Sequence, residues 1–114
     1  MEEILSDKIG KKIILLGNDA ILRGALESGV QFVSTYPGTP ASEVGNTLYR
    51  IQSSKSKIKN FYFEFSTNEK VALESGAGAS FSGLRSLVAM KHFGLNVASD
   101  FFMPLVYSGI KGGM

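Results

Sequence analysis

Cysteine does not occur among the 114 residues. Its absence excludes disulfides, thiolate zinc sites and cysteine-ligated iron–sulfur clusters within this chain, and it fits a reducing cytoplasm. Histidine occurs once, at His92, so a transition-metal site has no second imidazole to draw on. Neither sign of charge is in large excess. Twelve Lys and Arg stand against ten Asp and Glu, and a net charge of +2 is too weak to argue for nucleic acid or a membrane surface. The run Lys55, Lys57 and Lys59 reads as a solvated loop. Long hydrophobic runs are also missing. No segment reaches the roughly 20 apolar residues of a membrane-spanning helix, and the most apolar stretch, Phe101 to Tyr107, is interrupted by Pro104. The N-terminal MEEILSDKIGKK has no apolar core of the signal-peptide kind.

Nucleotide motifs fail on inspection. A G-x-G-x-x-G pattern starting at Gly76 and Gly78 needs glycine where Phe81 stands, and these glycines fall inside a predicted helix rather than at a strand-to-helix turn. Neither a Walker A sequence nor a G-x-S-x-G nucleophile elbow is present. The glycines read as packing residues.

What is present is a globular composition, 44% hydrophobic and 19% charged. Residues 1–10 read as a polar lead-in. Ile13 to Leu16, ended by Gly17, suggests a buried strand. Asn18 and Asp19 can cap a helix beginning near Ala20, and Gly29 sits where that helix would stop. Phe32 and Val33 suggest a second strand. Tyr36-Pro37-Gly38-Thr39-Pro40 must be a turn, with Pro40 able to open a helix capped by Thr39. Val44, Leu48 and Ile51 lie at helical spacing. Phe61, Phe63 and Phe65 alternate with Tyr62 and Glu64 as a third strand. Ser66, Thr67 and Asn68 offer caps for a helix over about Glu69 to Phe81. That helix carries Gly76, Ala77, Gly78, Ala79 and Ser80, whose low propensity implies close approach of another backbone or a ligand. Arg85 to Met90 reads as a fourth strand, Lys91 to Asn96 as a loop, and Val97 to Tyr107 as a further helix.

Alternating strands and helices predict an α/β fold: an open, mostly parallel sheet with helices on both faces. Ligands in such folds bind beyond the carboxyl ends of the strands, where three loops fall: Tyr36 to Pro40, Ser66 to Glu69, and Lys91 to Asn96. A doubly wound sheet normally continues past the last helix, so the chain is expected to be truncated after Gly113. On its residues alone, Glu69 is open to two readings, an ordinary helix-dipole carboxylate or a functional one. Glu64 and Glu74 compete for the functional role, but Glu64 alternates with the phenylalanines and Glu74 lies well down the helix.

The ordered set Tyr36-Pro37-Gly38-Thr39-Pro40, Asn68-Glu69-Lys70-Val71-Ala72-Leu73-Glu74, Gly76-Ala77-Gly78-Ala79-Ser80, Gly83-Leu84-Arg85 and Met90-Lys91-His92-Phe93-Gly94-Leu95-Asn96, continued by Tyr107 to Gly113, closely resembles the large (α) subunit family of indolepyruvate:ferredoxin oxidoreductases. The resemblance implies that residues 11–114 are the N-terminal part of a thiamine-diphosphate pyrimidine-binding domain. It implies Glu69 as the catalytic carboxylate that hydrogen-bonds N1′ of the cofactor's aminopyrimidine, Pro37 and His92 beside the cofactor, and Thr39 and His92 facing the substrate. The implied reaction decarboxylates an arylpyruvate to an acyl-coenzyme A, with electrons passing to ferredoxin. Mg2+ and [4Fe-4S] clusters would be held by regions not found here, since neither a Gly-Asp-Gly motif nor cysteine runs occur. The implied partners are a diphosphate-binding domain or subunit, a β subunit, ferredoxin and coenzyme A, in a cytoplasmic oligomer that involves neither nucleic acid nor membrane. A segment of this kind is expected to be inactive alone. Two alternatives stand beside it: a non-catalytic fragment or interaction module, and part of another thiamine-diphosphate 2-oxoacid oxidoreductase or decarboxylase.

Overall fold

The computed structural model describes residues 3–54 and 60–114. The lysine run at 55, 57 and 59 lies outside the described residues. Helices and strands follow in the order α1 (Gly17–Glu27), β1 (Phe32–Thr35), α2 (Ser42–Ser53), β2 (Tyr62–Phe65), α3 (Glu69–Phe81), β3 (Ser86–Ala89) and α4 (Gly94–Ser108). The strands form a parallel sheet in the order β2-β1-β3. The central strand is paired at Val33 with Phe63 on one side and with Leu87 on the other.

The period-2 alternation of β1 divides the core. Val33 points to one face, where it is buried with Phe63 under Leu22, Val44, Leu48 and Ile51 of α1 and α2. Ile4 and Val30 close that cluster. Ser34 points to the other face, where its hydroxyl donates to the Ala72 carbonyl of α3 over 2.6 Å. There Leu73, Ala77, Ala98 and Leu105 form a second cluster with Val88 and Met90. The expected open parallel sheet with helices on both faces is therefore the observed one.

The small residues of α3 explain its fit. A Cβ on Gly76 would stand 2.4 Å from Val88 Cγ2, so glycine is what lets this helix lie on β3. Gly78 faces open space and has no such role. Gly29, at φ +76°, ends the turn after α1 as its position predicted.

Several expectations need correction. Ile13 to Leu16 is not a strand. Ile14 is 95% exposed and Leu16 is 64% exposed. The segment runs over Ala20 and Arg23 of α1 and past Thr47 and Arg50 of α2. Helices offer no open ladder for its backbone, and a short apolar run has no period of its own to declare its structure. The described sheet thus has three strands rather than four. Asn18 and Asp19 do not cap α1, which begins at Gly17. Their side chains tie α1 to its neighbour instead. Asn18 Nδ2 donates to the Pro40 carbonyl at 2.8 Å and to Glu43 Oε2 at 2.7 Å, and Asp19 Oδ1 accepts from the Thr47 hydroxyl at 3.0 Å. Helix α4 starts at Gly94, three residues before the expected Val97, and carries Pro104 in its interior.

An exposed ion pair joins α3 to α4, with Lys70 Nζ 2.6 Å from Asp100 Oδ2. The hydrogen bond and charge of Lys70 hold the Asp100 carboxyl below its ordinary range. A depressed carboxyl contributes stability at neutral pH that is lost as pH falls through its folded-state value, and contact with solvent keeps that contribution small. Following the Asp100 carboxyl by NMR should give a titration midpoint below that of a free aspartate, returning toward it in Lys70→Met. Leu48→Ala, at a fully buried site, should lower the unfolding free energy by about 2–5 kcal/mol. Ile14→Ala should change it by less than about 0.5 kcal/mol. Denaturant unfolding of both variants checks the pair, and a large loss at Ile14 would restore the buried-strand reading.

Candidate cofactor site

Because the strands are parallel and in register at Thr35, Phe65 and Ala89, the segments that follow them leave the sheet at one edge. Residues 36–41, 66–68 and 90–93 are those segments. The Ser66 amide donates to the Thr35 carbonyl at 2.8 Å, holding the first two together. Asn68 is extended and caps α3, its Oδ1 accepting from the Val71 amide at 2.9 Å. That cap delivers Glu69 as the first helical residue, with its carboxylate at the positive end of the helix dipole.

Glu69 is buried, with 3% of its surface exposed. Its Oε1 has no hydrogen-bond partner. Lys91 Nζ stands 3.8 Å from that oxygen, within ion-pair range but beyond a hydrogen bond. The other side of the carboxylate is closed by Gly94, where an added Cβ would meet Glu69 Cγ at 2.6 Å and Oε1 at 3.0 Å. The Lys91 stem lies on the proline turn: a Cβ on Gly38 would meet Lys91 Cδ at 2.7 Å and Cβ at 2.9 Å. One carboxylate, the Tyr36–Pro40 turn and the segment after β3 are thereby gathered at the strand ends. The buried hydroxyls of Thr35 and Ser66, each without a hydrogen-bond partner, belong to the same edge.

The other expected site residues are placed differently. Pro37 and Thr39 are exposed on the turn. Thr39 does not cap α2 and Pro40 does not open it. The helix begins at Ser42, whose hydroxyl accepts from the Gly38 amide at 2.9 Å, and the Thr39–Pro40 peptide is cis. His92 is exposed, its ring 4.0 Å from that of Phe93, centroid to centroid. Of the competing carboxylates, Glu64 is half-buried and accepts from the Tyr62 hydroxyl at 3.1 Å, while Glu74 is exposed. Glu69 alone among the three is buried. Lys91 and Gly94 were visible beforehand only as letters in a motif. The one local signal for Lys91 was a lysine just after a strand, which marks no chemistry by itself. A cleft of about 400 Å3 between residues 6–15 and α1 includes none of these residues.

The chain is similar to subunits of 2-oxoacid oxidoreductases. A solved structure of 2-oxoglutarate:ferredoxin oxidoreductase from Magnetococcus marinus, with 2-oxoglutarate, coenzyme A and succinyl-CoA bound, matches with a TM-score of 0.63 and 31% identity, over 76% of this chain and 14% of that one. Within the class, the chain corresponds along its length to an N-terminal segment of the indolepyruvate oxidoreductase subunit IorA. It is 56% identical to IorA of Methanothermobacter thermautotrophicus over 114 residues, all of this chain and 18% of that protein. It is 51% identical to IorA of Pyrococcus horikoshii over 111 residues, 97% of this chain and 16% of that protein. The chain thus spans less than a fifth of the length of these relatives. No protein-family model matches it.

Gly94→Ala should push the Glu69 side chain from its seat and cost about 1–3 kcal/mol of stability, measured by denaturant unfolding. Gly78→Ala, which meets open space, should be neutral or slightly stabilising.

Proposed function

We propose that this chain is the pyrimidine-side segment of an oxidoreductase that decarboxylates indolepyruvate and related arylpyruvates to acyl-coenzyme A, passing electrons to ferredoxin. The observation that carries the reading is the Glu69 carboxylate, 3% exposed and with an oxygen that no donor satisfies. A buried acceptor without a partner costs free energy unless a ligand supplies the bond. An aminopyrimidine ring, which can share a proton with a carboxyl, suits it.

When bound, thiamine diphosphate supplies the carbon nucleophile and the electron sink for decarboxylation of a 2-oxoacid. This chain's contribution is local. Glu69 holds a proton between its carboxyl oxygen and ring atom N1′, which is general acid–base work by a fixed group. Gly94 fixes the carboxyl by leaving it room on one side only. Thr39 offers its hydroxyl to a keto or carboxylate oxygen of the substrate, and Pro37 and His92 supply walls around cofactor and substrate. The chain has no Gly-Asp-Gly motif and no cysteine, so the diphosphate with its Mg2+ and the [4Fe-4S] clusters fall to other regions or subunits. Residues 11–114 are on this reading one part of a pyrimidine-binding domain in a cytoplasmic oligomer with a β subunit. Support comes from the apolar surface of α4 and its approach, where Phe93, Leu95, Met103, Val106 and Tyr107 are each at least half exposed, a surface suited to cover by protein. Among the described residues no helix is long and apolar enough to cross a membrane.

Glu69→Gln in the complete enzyme should abolish 2-oxoacid decarboxylation, a loss of at least about a hundredfold, while circular dichroism and assembly stay unchanged. Wild-type turnover in that variant would remove Glu69 from the role.

A further inference from the structure

Glu69 has a second contact that its cofactor role does not require. A carboxylate removed from water is costly unless a cation compensates it. Among the described residues, the ion pair with Lys91, at 3.8 Å, is the one that reaches it. Lys70, the next residue on the same helix, is engaged 2.6 Å from Asp100. Lys91 is suited to the task because its stem is held while its head is partly wet. The Cβ and Cδ atoms pack where a Gly38 side chain would be, and the side chain keeps 36% of its surface exposed. One residue therefore touches the turn that bears Pro37 and Thr39 and neutralises the carboxylate at the start of α3.

We propose that Lys91 is a positioning residue: its ammonium is the counter-ion that lets Glu69 stay buried, and its stem props the Tyr36–Pro40 turn, so the substrate-side and cofactor-side walls share one support. This rests on the reading of Glu69 given above, but its test needs neither cofactor nor turnover. Gly38 belongs to the arrangement, since any larger residue there would occupy the space of the lysine stem. Two-sided contact also distinguishes Lys91 from an ordinary surface ion pair, which contributes little.

The experiment is hydrogen exchange by mass spectrometry on the complete cofactor-free protein, comparing wild type, Lys91→Met, Lys91→Ala, Lys91→Arg, Glu69→Gln and the Glu69→Gln/Lys91→Met double variant. Lys91→Met should speed exchange about tenfold in peptides covering 66–72, because a buried carboxylate loses its partner. In the Glu69→Gln background the same lysine change should have little effect on those peptides, the signature of direct coupling. Peptides covering 36–42 should speed up with Lys91→Ala, which removes the stem from Gly38, and Lys91→Arg should restore the 66–72 peptides by returning the charge. Equal effects of Lys91→Met with and without Glu69 would overturn the counter-ion role. Unchanged exchange at 36–42 in a Lys91→Ala variant, which removes the stem outright, would overturn the prop. Neither failure touches the cofactor role of Glu69, which the turnover of Glu69→Gln tests separately.

Discussion

The parallel pairing of β1 with both of its neighbours is the constraint on which the rest depends. Each strand has only four residues, and the register sets Thr35 beside Phe65 and Ala89. Parallel strands in register must release their chains at a common edge, and each must be followed by a crossover that returns to the opposite edge. The crossovers are α2 and α3, and the segments leading into helices gather above β1. No individual contact at the site would persist if one strand slipped by a residue, since a slip exchanges the two faces. Val33 would then leave its apolar cluster and Ser34 would lose the Ala72 carbonyl.

The central part of the fold was legible because its signals are local. Asn68 as a cap, the small residues behind it and the Phe-x-Phe-x-Phe alternation ahead of it mark strand, turn and helix in sequence, and α3 occupies the predicted span. The N-terminal region was misread because its signals are ambiguous. Four apolar residues in a row fit a strand or a segment draped over helices, and nothing in Ile13 to Leu16 chooses between them. Asn18 and Asp19 are favourable caps by type, yet their hydrogen-bonding capacity is spent on α2 and Pro40, partners that only the fold brings near. The same holds at the site. The place of Glu69 at a helix start left two readings open and the family resemblance implied the functional one, but whether that carboxylate faces water or protein depends on Gly94 and Lys91, which follow it by more than twenty residues.

Identity to the IorA subunits runs through the whole chain, whereas the likeness to the solved 2-oxoglutarate enzyme rests on backbone shape with 31% identity. A common layout with divergent side chains is expected where a fold holds one piece of chemistry in place and lets substrate contacts vary. In this chain the buried part of the strand-end edge is Glu69 at the head of α3 with Gly94 against it. The turn bearing Thr39 and the pair His92 and Phe93 are exposed at the same edge.

Asn18 gives that turn a remote anchor. Its amide reaches both the Pro40 carbonyl and Glu43 from the first helix, on the far side of the sheet from α3 and α4. The strand-end edge is therefore braced from outside as well as from within. Mechanical disturbance of the leading helix, by a bulky label, a fusion or an antibody, would be transmitted through these two hydrogen bonds to the Tyr36–Pro40 turn.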